Sequence, residues 1–323
     1  MKVLITGGAG YIGSVVAEQL IASGHRVLVY DDLSHGHRQA VPEAAEFLQA
    51  SVEDRSSLDR ALASGLDAVM HFAGLIEAGE SMKHPEAFFR TNSANTLTLL
   101  EAMLAHDVKT IVFSSTAAVY GNPERLPIME DSPLRPTNAY GESKLMVEQM
   151  LGWFHRVHHF RYCALRYFNA AGATEQRGEA HQPESHLIPL VLQVALGKRE
   201  RIMIYGDDYP TDDGTCVRDY VHVSDLATAH VLALEALKQH DHLVYNVGTG
   251  KGASVLQVLE AARQVTGSMI PAQVVPRRPG DPAVLVASSE KLAGELGWKP
   301  GYTEIREIID SAWRWHKMNP NGY

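Results

Sequence analysis

Tyr140 and Lys144 lie four residues apart in Ala139-Tyr140-Gly141-Glu142-Ser143-Lys144. Four residues is about one helical turn, so on a helix both side chains project from one face. A phenol with a pKa near ~10 is a poor base at neutral pH, but a lysine cation one turn away would favour its phenolate. Some two dozen residues upstream, the apolar run Ile111-Val112-Phe113 ends in Ser114-Ser115-Thr116. A hydroxyl at that strand end, Thr116, can hydrogen-bond a substrate alcohol while Tyr140 removes its proton.

The chain opens on Val3-Leu4-Ile5-Thr6-Gly7-Gly8-Ala9-Gly10-Tyr11-Ile12-Gly13, an apolar strand running into Gly7, Gly10 and Gly13 and then a helical pattern. Gly7 allows a tight turn, Gly10 lets the backbone approach a pyrophosphate, and Gly13 lets the helix pack on the strand, while the helix N-terminus offers free N–H groups. The next strand, Arg26-Val27-Leu28-Val29-Tyr30, ends in Asp31-Asp32. An acid at that spacing accepts hydrogen bonds from the adenosine ribose and repels a 2′-phosphate, which points to NAD rather than NADP. A positively charged nicotinamide would further favour the Tyr140 phenolate.

The elements that must position these groups alternate. Strand patterns at 47–48, 68–72, 110–114 and 162–166 are separated by helical patterns near 56–63, 91–106 and 140–157. The alternation predicts an α/β fold with a doubly wound, Rossmann-like parallel sheet and its ligands at the strand C-termini. Beyond Asn169 the pattern becomes irregular, with short strands at 202–205 and 272–275 and helices near 187–197, 224–238, 254–266 and 304–317. The expected organisation is a nucleotide-binding domain over 1–169 and a smaller, interleaved α/β substrate domain over 170–323, with segments near 216–248 returning to the first.

Composition narrows the class. In 323 residues, 45% hydrophobic, no run approaches a membrane span, and the first residues already form a strand rather than a signal peptide. Cys163 and Cys216 stand apart without CxxC spacing, which suggests the reducing cytoplasm. A net charge of −9 without a basic block argues against nucleic acid. The histidine groups His35/His37, His155/His158/His159 and His240/His242 fall in polar turns or helix ends with no completing carboxylate or cysteine, so no metal is expected.

The chain resembles the extended short-chain dehydrogenase/reductase family, and within it the nucleotide-sugar epimerase branch, over its whole length. GGAGYIGS and AYGESKLMVEQM are family-wide, whereas YFN within LRYFNAAGA at 165–173, DGTCVRDYVHV within 205–230 and RRPGD within RRPGDPA at 277–283 are specific to the branch; HFAGLIEAGES at 71–81, FSSTAAVYGNP at 113–123, YNVGTG at 245–250 and the ending NPNGY also carry the resemblance. The resemblance implies an NAD-dependent UDP-sugar 4-epimerase acting on UDP-glucose and UDP-galactose, and a homodimer through the helices near 91–106 and 140–157. It implies Thr116, Tyr140 and Lys144 as the catalytic set. Gly7, Gly10, Tyr11, Ile12, Gly13, Asp31, Asp32, Ser51, Val52, Phe72, Ala73, Gly74, Asn92, Tyr140, Lys144 and Phe168 would hold the cofactor. Thr116, Asn169, His186, Leu187, Tyr205, Arg218, Arg278, Asp281 and Leu285 would meet the UDP-sugar.

Several positions depart from the branch: Ser51 aligns with an adenine-binding Asp, Ile76 with a Lys near the nicotinamide, His186 with a diphosphate-binding Asn, and Thr116 is one residue nearer Tyr140 than usual. Ala117-Ala118 after Thr116 lacks the acid pair of a dehydratase, and a non-catalytic NAD-binding regulator has no reason to keep Thr116, Tyr140 and Lys144 together. UDP-N-acetylglucosamine, UDP-arabinose and UDP-glucuronate remain alternative substrates. Arg218 and Arg278 suit a diphosphate but could equally be paired with Asp219 and Asp281, and Leu285 either lines the sugar pocket or packs in a strand over 284–286.

Overall fold

The computed structural model describes residues 1–278 and 281–323; Pro279 and Gly280 of the RRPGDPA block lie outside the described residues. The fully buried β1 (Lys2–Thr6) leads to α1 (Tyr11–Ala22), β2 (Arg26–Asp31), β3 (Glu46–Gln49), α2 (Arg55–Leu62) and β4 (Ala68–His71). After the short helices α3 (Ala78–Ser81) and α4 (Pro85–Phe88), a π-helical turn over Phe89–Ala94 opens into α5 (Asn95–Ala105), followed by β5 (Thr110–Thr116), α6 (Ala139–His158) and β6 (Arg161–Tyr167). The remainder comprises β7 (Asn169–Ala171), α7 (Leu187–Ala195), β8 (Ile202–Tyr205), β9 (Val217–His222), α8 (Val223–Ala236), β10 (His242–Val247), β11 (Gly252–Ser254), α9 (Val255–Thr266), β12 (Ala272–Val275), β13 (Val284–Leu285), α10 (Glu290–Leu296) and α11 (Ile305–Met318).

Seven strands form one sheet in the order β10-β6-β5-β4-β1-β2-β3, parallel at every pairing. Both faces of such a sheet must be covered, which is why β1, β4, β5 and β6 are buried along almost their whole length and carry apolar runs at their centres. Leu226, Ala229, Ala233 and Leu234 of α8 join Val15, Val16 and Leu20 of α1 in the core on one face. Leu58, Leu99, Leu100, Met103, Val147 and Leu151 of α2, α5 and α6 cover the other. The strand order reverses between β1 and β4, and the crevice at that switch point is where ligands of this architecture bind. Beside it, β7, β9, β11 and β13 make a second sheet and β8–β12 a parallel pair, packed with α7, α9 and α11 around a separate core of Ile188, Leu192, Leu259 and Ile309.

Residues after Asn169 thus contribute α8 and β10 to the nucleotide-binding sheet, β10 pairing with β6 from His242↔Tyr162 to Val247↔Tyr167. The sequence pattern did not register α10, β11 or the π-helical turn, which interrupts the single helix expected near 91–106.

Candidate active site

The glycine loop is built to the limit of backbone contact. Gly7 adopts a φ of +72°, and a Cβ there would fall 2.5 Å from Ala73 N; one on Gly13 would fall 2.3 Å from Gly7 O. Neither neighbour can yield, because both belong to backbone. Gly10 is the N-cap of α1 and makes no side-chain cap, and the first turn carries no acid, so the N–H groups and helix dipole face outward as an anion site. At the end of β2, Asp31 accepts from Ala9 N at 3.0 Å and Leu33 N at 2.8 Å, so the acid also fixes the glycine loop. Burial raises the Asp31 pKa while these two N–H groups oppose the rise. Asp32, exposed, accepts from Ser34 N at 2.9 Å. Ser51 receives the Tyr30 hydroxyl on its carbonyl at 2.8 Å, and Val52 beside it is buried. Tyr11 donates to Gly172 O at 2.6 Å, tying α1, with its neighbour Ile12, to the start of the second half.

Across the crevice, Ala73 N donates to Thr6 O, and Phe72 lies on His230 with ring centroids 4.8 Å apart. Asn92, in the π-helical turn, accepts from Leu75 N at 2.7 Å and donates to Leu75 O and Ser143 Oγ, each at 3.0 Å. It clamps the loop after β4, including Gly74 and Ile76, to α6. A wider turn at Phe89–Ala94 is what aims this amide at both partners.

Asn138 caps α6 by accepting from Gly141 N at 2.8 Å, which starts the helix so that Tyr140 and Lys144 face the sheet edge where β5 ends at Thr116. Burial raises the Tyr140 pKa above its ordinary value; a hydrogen bond with the Thr116 side chain opposes the rise and Glu77 adds to it. Lys144 shares the α6 face with Tyr140, as the four-residue spacing requires, but its ammonium makes no hydrogen bond to the phenol. Lys144 instead lies 5.1 Å from the centroid of the Phe113 ring and against Gly74, buried, with no hydrogen-bonding or ionic partner among the described residues. Burial lowers its pKa from 10.5 to about 8. A buried ammonium without a partner, beside a glycine that a Cβ would fill, fits the ribose hydroxyls of a dinucleotide laid across the loop.

On the far side of Thr116, Phe168 and Leu285 pack against Ala117, Tyr120 and Leu145. Asn169 donates to Asp219 O at 3.3 Å. Arg218 pairs with Asp281, and Arg278 lies 3.9 Å over the Tyr205 ring. Leu285 stands opposite Arg218 in the β13–β9 register. Leu187 opens α7, with His186 as its N-cap. His186 departs from the expected diphosphate contact: its Nδ1 lies 2.7 Å from Glu179 and 2.9 Å from Glu184, and their carboxylates raise its pKa against the effect of burial. Glu179, His181, Glu184 and His186 converge in this loop, a group outside the histidine sets weighed in the sequence.

Residues 3–248 match the NAD dependent epimerase/dehydratase family. The chain belongs to that family. It is 52% identical to UDP-glucose 4-epimerase of Streptococcus mutans over 100% of this chain and 99% of that protein. It is 51% identical to UDP-glucose 4-epimerase of Halalkalibacterium halodurans over 100% of this chain and 98% of that protein. The structure of UDP-glucose 4-epimerase from Bifidobacterium longum in complex with NAD+ and UDP superposes with a TM-score of 0.96 at 40% identity, covering 100% of both chains. NAD is therefore the cofactor of this epimerase/dehydratase family member, in agreement with the carboxylate at Asp31.

Two supports of the site in this family member escaped the sequence reading. Glu148, one turn beyond Lys144, accepts from Ser115 Oγ at 2.5 Å and from Arg166 Nε and Nη2 at 3.0 and 2.6 Å; Arg166 also donates to the Tyr120 hydroxyl at 2.9 Å. The buried group locks the end of β5 against α6 and β6. Asp219, fully buried, accepts from Thr249 N and Oγ1 at 2.8 Å each, Gly250 N at 3.0 Å and Ala287 N at 3.1 Å, and so organises the backbone beneath Arg218. A carboxylate inside Val217-Arg218-Asp219-Tyr220 was the available signal, read there only as a partner for the arginine.

Proposed function

We propose that this chain interconverts UDP-glucose and UDP-galactose at sugar C4, as the names of its relatives say of them. The observation that carries the reading is the meeting of the Tyr140 and Thr116 side chains at the C-terminal end of β5, in a chain that also holds the glycine loop and the Tyr205–Arg278 and Arg218–Asp281 pairs. Tyr140 takes the proton of the 4-hydroxyl, and Thr116 hydrogen-bonds the same oxygen and holds it toward the phenol. NAD, when bound, would supply the hydride acceptor at C4 and the means of returning the hydride to the other face of the sugar. Arg218 and Arg278 hold the diphosphate, each with donors to spare beyond its present contact, so the sugar can turn over without leaving. Tyr205, Asn169, Leu187 and His186 line the uridine end, and Asp281 orients Arg218. Gly7, Gly10, Tyr11, Ile12 and Gly13 cradle the pyrophosphate, Asp31, Asp32, Ser51 and Val52 the adenosine, and Phe72, Ala73, Gly74, Asn92, Lys144 and Phe168 the nicotinamide half.

The domain boundary near residue 169 follows the same division of labour, and we place the working enzyme in the cytoplasm as a homodimer. Two free cysteines and the absence, among the described residues, of a helix able to cross a membrane support the first point. The second is supported by exposed Leu97 on α5 and exposed Met146, Trp153 and Val157 on α6. The deciding experiment incubates purified protein with UDP-galactose, UDP-N-acetylgalactosamine, UDP-arabinose and UDP-glucuronate and separates the products. UDP-glucose formed from UDP-galactose, without added cofactor, is the expected result. Turnover of only the pentose or uronate would overturn the assignment.

A further inference from the structure

We propose that Glu179, His181, Glu184 and His186 bind one divalent transition-metal cation of the zinc class, in the loop that leads into α7. The four side chains present His181 Nδ1, His186 Nδ1 and one carboxylate oxygen each from Glu179 and Glu184, all within 4.8 Å of one another. Three separations are close to those of a formed site: Glu179 Oε1 to His186 Nδ1 is 2.7 Å, Glu179 Oε1 to His181 Nδ1 is 3.1 Å, and Glu184 Oε1 to His186 Nδ1 is 2.9 Å. Ligand atoms about 2.0–2.2 Å from a tetrahedral metal lie roughly 3.3–3.6 Å apart, so the three close pairs must spread by several tenths of an ångström while any wider pair within the 4.8 Å span draws in.

The donor chemistry selects the ion. Two imidazoles with two carboxylates suit Zn²⁺ or Co²⁺; magnesium and calcium want an all-oxygen shell and copper(I) wants sulfur. Two carboxylates also match the charge of a divalent cation next to two neutral imidazoles. The supports around the ligands are in place. Glu184 accepts from the backbone N–H groups of Ser185 and His186, both at 2.7 Å, which fixes its carboxylate. The loop is anchored on either side, by the Tyr323 hydroxyl against the Gly178 N–H at 3.0 Å and by His37 against Ala180 O at 2.9 Å. An entry path exists as well: Glu179, His181 and Glu184 border a cavity of about 310 Å³ shared with His316 and Lys198.

The proposal shares His186 with the epimerase reading, and an optical spectrum rather than turnover tests it. Purified protein with its NAD retained is freed of metal by a chelator, then titrated with Co²⁺. The expected result is one Co²⁺ per chain with the intense visible bands of a four-coordinate ion, displaced by one equivalent of Zn²⁺. His181→Ala should weaken Co²⁺ binding at least ~10-fold, the lower end of what even an outer-shell partner contributes; if that variant does not fold, Glu184→Gln makes the comparison. No stoichiometric four-coordinate spectrum, or the same spectrum at the same affinity in the variant, overturns the proposal and leaves the cluster as an ion-paired loop.

Discussion

At the scale of single residues, the chemistry turns on two groups whose charged forms are both disfavoured. Tyr140 is pushed up and Lys144 down by loss of water around them, and only Thr116 works against the rise at the phenol. Tyr140→Phe should therefore lower turnover by at least ~10²-fold, the scale of a general acid–base contribution, while NAD stays bound; kcat together with nucleotide released on denaturation measures both. For Lys144 the linkage has a definite sign. Its folded pKa of about 8 lies below the ordinary 10.5, so between those values the unfolded chain binds more protons than the folded one. NAD-free protein should gain stability as pH rises through that window, and below it the cost of the buried cation is fully present. Lys144→Met removes that cost. Thermal melts at pH 7 should show a higher Tm for the NAD-free variant than for the NAD-free parent, together with weaker NAD retention. A lower Tm would mean that the ammonium is satisfied in the folded chain.

At the scale of elements, α6 and β13 each hold a group whose replacement separates positioning from packing. Glu148 on α6 and Arg166 on β6 are both buried and joined through two hydrogen bonds, with Ser115 completing the set. Arg166→Met leaves the carboxylate without its counter-charge, a change that costs on the order of 3–5 kcal/mol and should appear as a lower denaturant midpoint. An unchanged midpoint would show that the pair contributes nothing net to stability. Leu285 on β13 is half-buried beside Phe168. If it lines the sugar pocket, Leu285→Ser should raise kcat/KM for UDP-N-acetylglucosamine relative to UDP-glucose, because relief of a clash changes one transition state and hardly touches the other. A parallel fall for both substrates would mark it as a packing residue.

At the scale of the whole molecule, one stripe of uncovered apolar surface lies on the helices that flank the sheet opposite α1 and α8. Met146, Trp153 and Val157 recur at helical spacing along α6, with Trp153 63% exposed, and Leu97 is exposed on the neighbouring α5. A pair of helices from each of two copies would bury this stripe. Sedimentation of the purified protein should give a dimer, and Trp153→Glu should shift it to monomer without unfolding it, since that side chain makes no part of the core. A monomeric parent protein would dismiss the interface.

The sequence by itself determined the parts that local spacing controls. Strand, glycine turn, helix and acid fall within one unit ending at Asp31, and Tyr140 and Lys144 share a face because one helical turn separates them. Backbone geometry enforces those relations whatever the rest of the chain does. Tertiary structure decided what depends on which strands become neighbours. The β10–β6 pairing brings residues 242–247 into the first sheet, and only the β9–β13 register sets Leu285 opposite Arg218. The direction of Lys144 also belongs here: sequence puts it one turn from the phenol, and packing sets its ammonium over Phe113 and against Gly74. The Glu179–His186 cluster was invisible for a related reason. Its members are close in the chain, but with no helical or strand period to align them, only the folded loop determines that four side chains point inward.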